Sequence, residues 1–248
     1  MPVDAKMLGE ITAYIRRWDD HLDLYFGGKF DLGGKRLLVV GSGWGTEVLW
    51  ALRKGAAHVT GIDPRDDERA FVEQALAEEG LAHLAERFTL HQGTAPTVDD
   101  LGTFDLILSN NVFEHIDGLS ANLVALERFL PDRGGRIFIF TDPLFYASAG
   151  HHLPIGPWEH LTTSQEAVRD RVSSRQWREY RNGLNGMTIT VFLEAVREAG
   201  LILLDLGIRP DPNIERFVAN RKAFPPGLKP MDLCLSGISC TLAFPHNI

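Results

Sequence analysis

The chain has 248 residues, 44% of them hydrophobic and 23% charged, with a formal net charge of −8, so it is long enough to bury a sizeable core. The acidic balance excludes a general nucleic-acid or anionic-membrane surface, which needs clustered Lys and Arg. No apolar run reaches the length of a signal segment or a membrane span, so a cytoplasmic protein with no membrane partner is expected.

Met7, Leu8, Ile11, Tyr14, Ile15 and Trp18 recur at helical spacing, which predicts an N-terminal amphipathic helix over residues 4–20, broken by Gly27 and Gly28. The apolar run Leu37 to Val40 reads as a strand, and Gly41-Ser42-Gly43-Trp44-Gly45 turns it into a helix from Thr46 to Lys54. A second strand, His58 to Ile62, ends on Asp63. A charged helix follows from Asp66 to Glu79, with Phe71, Val72, Ala75 and Leu76 on one face. Phe88 to His91 and Phe104 to Ser109 are the next strands. Leu119, Leu123, Leu126 and Leu130 mark a helix that Pro131 stops, and Arg136 to Thr141 is a fifth strand.

Residues 142–187 are irregular and rich in rings and imidazoles, as a substrate cap would be. After a helix from Ile189 to Ala199, two strands, Leu201 to Ile208 and Leu233 to Phe244, are expected to pair antiparallel with no helix between them. Strands alternating with helices at this spacing predict an α/β protein with a doubly wound, mostly parallel sheet, the whole chain forming a single domain. Cys234 and Cys240 lie in an apolar segment and are expected as buried free thiols. Nothing in the sequence sets the oligomeric state.

A glycine turn between a strand and a helix brings backbone N–H groups against a nucleotide-like cofactor, and a carboxylate at Asp63 is placed to accept hydrogen bonds from ribose hydroxyls. A dinucleotide fold wants G-x-G-x-x-G, but position 46 is Thr and the third glycine comes one residue early, at Gly45. The spacing G-x-G-x-G resembles the first motif of the class I S-adenosylmethionine-dependent methyltransferases. Phe104 to Ile116, FDLILSNNVFEHI, is similar to the fourth-strand motif of the small-molecule enzymes of the ubiquinone and menaquinone biosynthesis type, the methyltransferase type 11 group. Gln92-Gly93-Thr94-Ala95 matches the place where that family reads the adenine, and the likeness runs from about Leu37 to Phe140.

The resemblance implies a Rossmann-like, seven-stranded sheet finished by a C-terminal antiparallel hairpin, with S-adenosylmethionine as cofactor and S-adenosylhomocysteine as its product. It assigns cofactor binding to Gly41, Ser42, Gly43, Gly45, Asp63, Pro64, Thr94, Ala95 and Asn110. Two positions depart from the family. Val39 stands where an acid often faces the cofactor's ammonium, and Thr94 where Asp often reads the adenine. The ammonium is therefore expected at carbonyl oxygens such as those of Gly41 and Asn110, and the adenine amino group at Thr94 or backbone.

His115, then His152, are the candidate bases for deprotonating a hydroxyl acceptor, since an imidazole titrates near neutrality. Tyr146, His151, His152, Trp158 and His160 are the candidate substrate contacts within the cap. Gly150 to Leu153, Pro157 to Leu161 and Leu184 to Thr188 resemble segments of methyltransferases from sugar and secondary-metabolite gene clusters. The expected activity is methyl transfer to an oxygen or nitrogen of a small-molecule acceptor. No metal is expected, because adjacent histidines point apart in extended backbone and no helical i, i+4 pair occurs. Two other readings stay open at this point: a catalytically silent module that binds S-adenosylmethionine or S-adenosylhomocysteine, and a nicotinamide-dependent oxidoreductase.

Overall fold

The computed structural model describes residues 5–26, 28–65, 69–150, 152–220, 224 and 227–248. Seven strands, β1 (Arg36–Val40), β2 (His58–Asp63), β3 (Phe88–Gln92), β4 (Leu106–Asn110), β5 (Arg136–Thr141), β6 (Ile202–Pro210) and β7 (Leu235–Ala243), form one sheet. Their order is β3-β2-β1-β4-β5-β7-β6, mostly parallel with antiparallel C-terminal strands. β1 pairs in parallel with β2 on one side and β4 on the other, and β3 lies parallel beyond β2. Strand order therefore reverses at β1, and in open α/β sheets such a switch point is where ligands meet the strands' carboxyl ends.

Packing groups the chain into two compact units, one of Met1–Asn110, Val124–Phe138 and Ala243–Ile248, the other of Asn111–Leu123 and Ile139–Leu242. In the first unit, Leu37 to Val40 of β1 are all buried. The first helix, α1 (Ala5–Arg17), buries Ile11, Thr12 and Ile15. It stops short of residue 20, and α2 (Asp19–Phe26) begins after Trp18, whose N–H closes back on the Ile15 carbonyl at 3.4 Å. Helix α3 (Thr46–Arg53) is buried at every position from Thr46 to Leu52. Helix α4 (Arg69–Glu78) puts Phe71, Val72, Ala75 and Leu76 inside, as their spacing predicted, while residues 66–68 at its expected start lie outside the described residues. β4 starts at Leu106 rather than Phe104, because the Phe104 N–H leaves the ladder for the Phe129 carbonyl at 2.8 Å.

The helix expected through Leu130 ends early. α5 covers Leu119–Ala125, and a 3-10 turn over Glu127–Phe129 completes the segment before Pro131. In the second unit the cap contains α6 (Glu159–Thr162), α7 (Gln165–Arg169) and α8 (Ser174–Asn182), followed by α9 (Ile189–Glu198). The connection from β6 to β7, expected to be free of helix, holds α10 (Ile214–Asn220) and α11 (Pro230–Cys234). Both are short, and Phe217 and Leu233 pack on Trp158, a tertiary contact that no local periodicity announces. Cys240 is buried and Cys234 half-buried, both as thiols outside any disulfide. No helix among the described residues is long and apolar enough to cross a membrane.

Gly45 ends the turn with φ +87°, and a Cβ built there would lie 2.1 Å from Cγ2 of Val72 on α4. Glycine thus serves both backbone and packing at this position. Gly45→Ala is expected to lower stability by about 2–4 kcal/mol, combining left-handed strain with overpacking. Adding Val72→Ala should recover only the packing part, and a double-mutant cycle by urea unfolding checks the split.

Candidate cofactor site and cap residues

Three glycines shape the turn between β1 and α3, because Gly41, Gly43 and Gly45 all hold positive φ, at 73°, 58° and 87°. L-residues rarely adopt that conformation, and bulky ones do so only under strain. The Gly41 and Ser42 N–H groups donate to the Ile62 carbonyl at 2.8 and 3.2 Å, and Gly45 donates to the Ser42 carbonyl at 2.8 Å. Asp63, at the end of the neighbouring strand β2, accepts the Gly43 N–H on Oδ2 at 3.0 Å. Its Oδ1 accepts both the backbone N–H and the Nε–H of Arg65, at 3.0 and 3.1 Å. A carboxylate offers about four lone-pair sites, so with three donors in place room is left for one more, on Oδ2.

The ends of β2 and β3 are laced together. Gly93 N–H donates to the Asp63 carbonyl at 2.8 Å, and the Gln92 side chain donates to the Pro64 carbonyl at 3.0 Å. Thr94 is exposed, and its hydroxyl lies 3.0 Å from that of Thr97. Ala95 is buried, and its carbonyl accepts a 2.8 Å hydrogen bond from Arg128. The structure thus brings Gly41, Ser42, Gly43, Gly45, Asp63, Pro64, Thr94, Ala95 and Asn110 into one compact unit, at and beyond the carboxyl ends of β1 to β4.

Sequence reasoning passed over Glu47, which lies two residues beyond the turn and is 6% exposed. Asn110 Nδ2 donates to its Oε1 at 2.6 Å, while Asn110 Oδ1 is buried with no partner. Burial pushes the Glu47 carboxyl up to about 7, against the pull of Asn110 and of its own backbone N–H. Tyr14 of α1 lies close by. Its ring meets the Trp44 ring of the turn edge-on at 5.4 Å, and burial, then the charge of Glu47, raise its phenol. The signal available in the sequence was a charged residue in a helix with apolar neighbours on every side.

The remaining expected residues belong to the second unit. His115 is exposed and its Nδ1 bonds the Gly183 carbonyl. Beside it Glu114 is buried, with Oε2 accepting the Thr141 hydroxyl at 3.1 Å and Oε1 unpartnered. His152 is exposed with φ 62°, and Tyr146 is half-buried. Trp158 is 2% exposed and donates its indole N–H to the Tyr146 carbonyl at 3.1 Å. His160 is 5% exposed, bonds the Phe145 carbonyl through Nε2 at 2.9 Å, and is driven down to about 4 by burial. Both side chains thereby hold the backbone on which Tyr146 sits. His151 lies outside the described residues.

Residues 38–139 match the family model described as a methyltransferase domain. No curated protein matches the chain. Among solved structures, a putative sarcosine dimethylglycine methyltransferase from Galdieria sulphuraria aligns over 94% of this chain and 87% of its own, with TM-score 0.58 and 16% identity. Geranyl diphosphate C-methyltransferase from Streptomyces coelicolor A3(2), solved with Mg2+, geranyl diphosphate and S-adenosyl-L-homocysteine, aligns over 98% and 85%, with TM-score 0.58 and 14% identity. The [4+2]-cyclase SpnF aligns over 92% and 81%, with TM-score 0.57 and 20% identity.

Burial pushes the Glu114 carboxyl from its ordinary 4.5 up to about 8, with the nearby Asp142 charge acting the same way. A carboxyl whose folded pKa is raised stabilises the fold below its unfolded pKa, and that stability is lost as pH climbs through the folded value. Glu47 acts in the same direction up to about 7. Between pH 7 and 8 the native state is therefore expected to weaken by about 1 kcal/mol relative to Glu114→Gln, in which that carboxyl no longer titrates. Thermal midpoints of the two proteins across this interval check it, and parallel pH profiles would refute it.

Proposed function

We propose that this chain, a class I S-adenosylmethionine-dependent methyltransferase by the domain it carries and the fold it adopts, methylates an oxygen or nitrogen of a small molecule, a sugar or secondary metabolite. The observation that carries the reading is the turn of positive-φ glycines with its middle N–H tied to the carboxylate of Asp63. The three glycines put no Cβ in the way of a ligand at the turn, and the unpartnered oxygen of Asn110 adds an acceptor that wants a donor. The residues present fit the cofactor. When bound, S-adenosylmethionine supplies a methyl group already activated by its sulfonium.

In this reading Gly41, Ser42, Gly43 and Gly45 seat the cofactor's amino-acid half. The lone-pair site of Asp63 left on Oδ2 receives a ribose hydroxyl, and Pro64, Thr94 and Ala95 border the adenine. The chain's remaining tasks are to orient the acceptor and take its proton. His115 is the proposed base, its ring oriented by the hydrogen bond from Nδ1–H to the Gly183 carbonyl. Tyr146 and His152 are the proposed acceptor contacts, joined by His151, while Trp158 and His160 support them by fixing the backbone at Tyr146 and Phe145. An amine acceptor that is already neutral needs no base, so His152 and His115 matter most for a hydroxyl.

Asp63→Asn is expected to weaken S-adenosylhomocysteine binding by about 1.5–3 kcal/mol, the scale of hydrogen bonds to a charged group. Isothermal titration checks it, and unchanged affinity would remove Asp63 from the site. His115→Ala should cut turnover by about 10²–10⁴-fold with cofactor affinity intact. The readout is S-adenosylhomocysteine release across a panel of hydroxyl and amine acceptors; equal losses in binding and turnover would make His115 a scaffold residue. Binding without methylated product from any acceptor class would favour the silent module instead.

A further inference from the structure

We propose that Glu47 is the residue that reads the α-ammonium of the cofactor, with Asn110 Oδ1 as the second acceptor, an assignment that rests on the cofactor site described above. Two deficits lie in the same place. Glu47 is a carboxyl with 6% exposure, and no cation among the described residues pairs with it. Asn110 spends its amide N–H on Glu47 at 2.6 Å and leaves a buried oxygen with no donor. An unpaired buried acid and an orphaned acceptor each cost stability, and structures keep such groups where a ligand completes them.

One ligand group would answer both. An ammonium carries a positive charge for the carboxylate and three N–H donors, enough to reach Glu47 and Asn110 together. A sulfonium has the charge but no N–H, so it leaves the Asn110 oxygen unsatisfied. The placement agrees, because Glu47 stands in the first turn of α3, directly after the glycines, and Asn110 ends β4 beside β1. Val39 is apolar and fully buried, and offers nothing to a cation. The acid absent from the strand is supplied from the helix.

The same geometry links binding to protons. Without a cation beside it, the Glu47 carboxyl titrates near neutrality, at about 7. The groups that face α3 are Tyr14 of α1, whose phenol senses Glu47, and Asp63 with Arg65 at the end of β2. Asp23 and Lys54 pair with each other at the far end of the helix, as do Arg53 and Glu79, which also holds Arg16. A bound ammonium favours the ionised carboxylate, so uptake of the cofactor below neutrality expels a proton.

The test uses the full chain and three probes: S-adenosylmethionine, S-adenosylhomocysteine and 5′-methylthioadenosine, which keeps the adenosine but lacks the amino-acid end. Glu47→Gln is expected to lose about tenfold or more in affinity for the first two and less than about twofold for the third. Wild-type affinity for S-adenosylhomocysteine should rise several-fold from pH 5.5 to 7, and the variant's should stay flat. Titration of the wild type at pH 6.5 in two buffers of different ionisation enthalpy should show proton release with S-adenosylhomocysteine and none with 5′-methylthioadenosine, a result that needs no variant. Equal losses for all three probes, or no proton release, would overturn the assignment while leaving the cofactor site standing. A wild type that binds none of the three would bring down both.

Discussion

The hydrogen bond from the Gly43 N–H to the Asp63 carboxylate joins two things that have no local reason to meet, the turn after β1 and the end of β2. A carboxylate buried to 7% exposure would be costly alone, and three N–H donors from Gly43 and Arg65 compensate for the lost water and hold it in place. In return the acid fixes the middle of a turn whose glycines have the widest conformational freedom of any residue. The β2 end is itself pinned by Gly93 and Gln92 of the next connection. The strand-end region is thus a chain of ties anchored at one aspartate.

What such a scaffold does chemically is decided elsewhere. Solved structures that share this fold at 14–20% identity include a C-methyltransferase acting on geranyl diphosphate and a [4+2]-cyclase. The fold alone therefore does not set the reaction, and the cap adds side chains of its own. In this chain those are held by aromatic packing, with Phe145 stacked on Tyr180 at 5.5 Å and Trp158 against Phe224 at 5.6 Å.

Much of this was legible from residue pattern. Glycine spacing located the turn, the apolar run at Leu37 marked the central strand, and Asp63 fell at a strand end because β2 has six residues ending there. Glu47 was not legible. Helix periodicity separates a wet face from a dry one, and α3, buried from Thr46 to Leu52, has no wet face to reveal which polar residue is trapped. Helices α10 and α11 escaped for a related reason: at seven and five residues they are too short to repeat a pattern, and they form by docking Phe217 and Leu233 on Trp158. Trp158 and His160 show a further limit of residue type: rings and imidazoles serve binding and packing equally well, and their burial is visible only in the fold.

Residues 243–248 return to the first compact unit, where the Asn247 side chain donates to the Pro131 carbonyl at 2.6 Å and its own carbonyl accepts the Gly134 N–H at 2.8 Å. Asn247 has no exposed surface. The unit that holds the glycine turn is consequently assembled from three separated stretches, the last of which leaves the ribosome only after residues 139–242 have been made. Its last contacts join stretches separated by a long excursion of chain that belongs to its neighbour, the kind of non-local pairing whose loop-closure entropy slows folding.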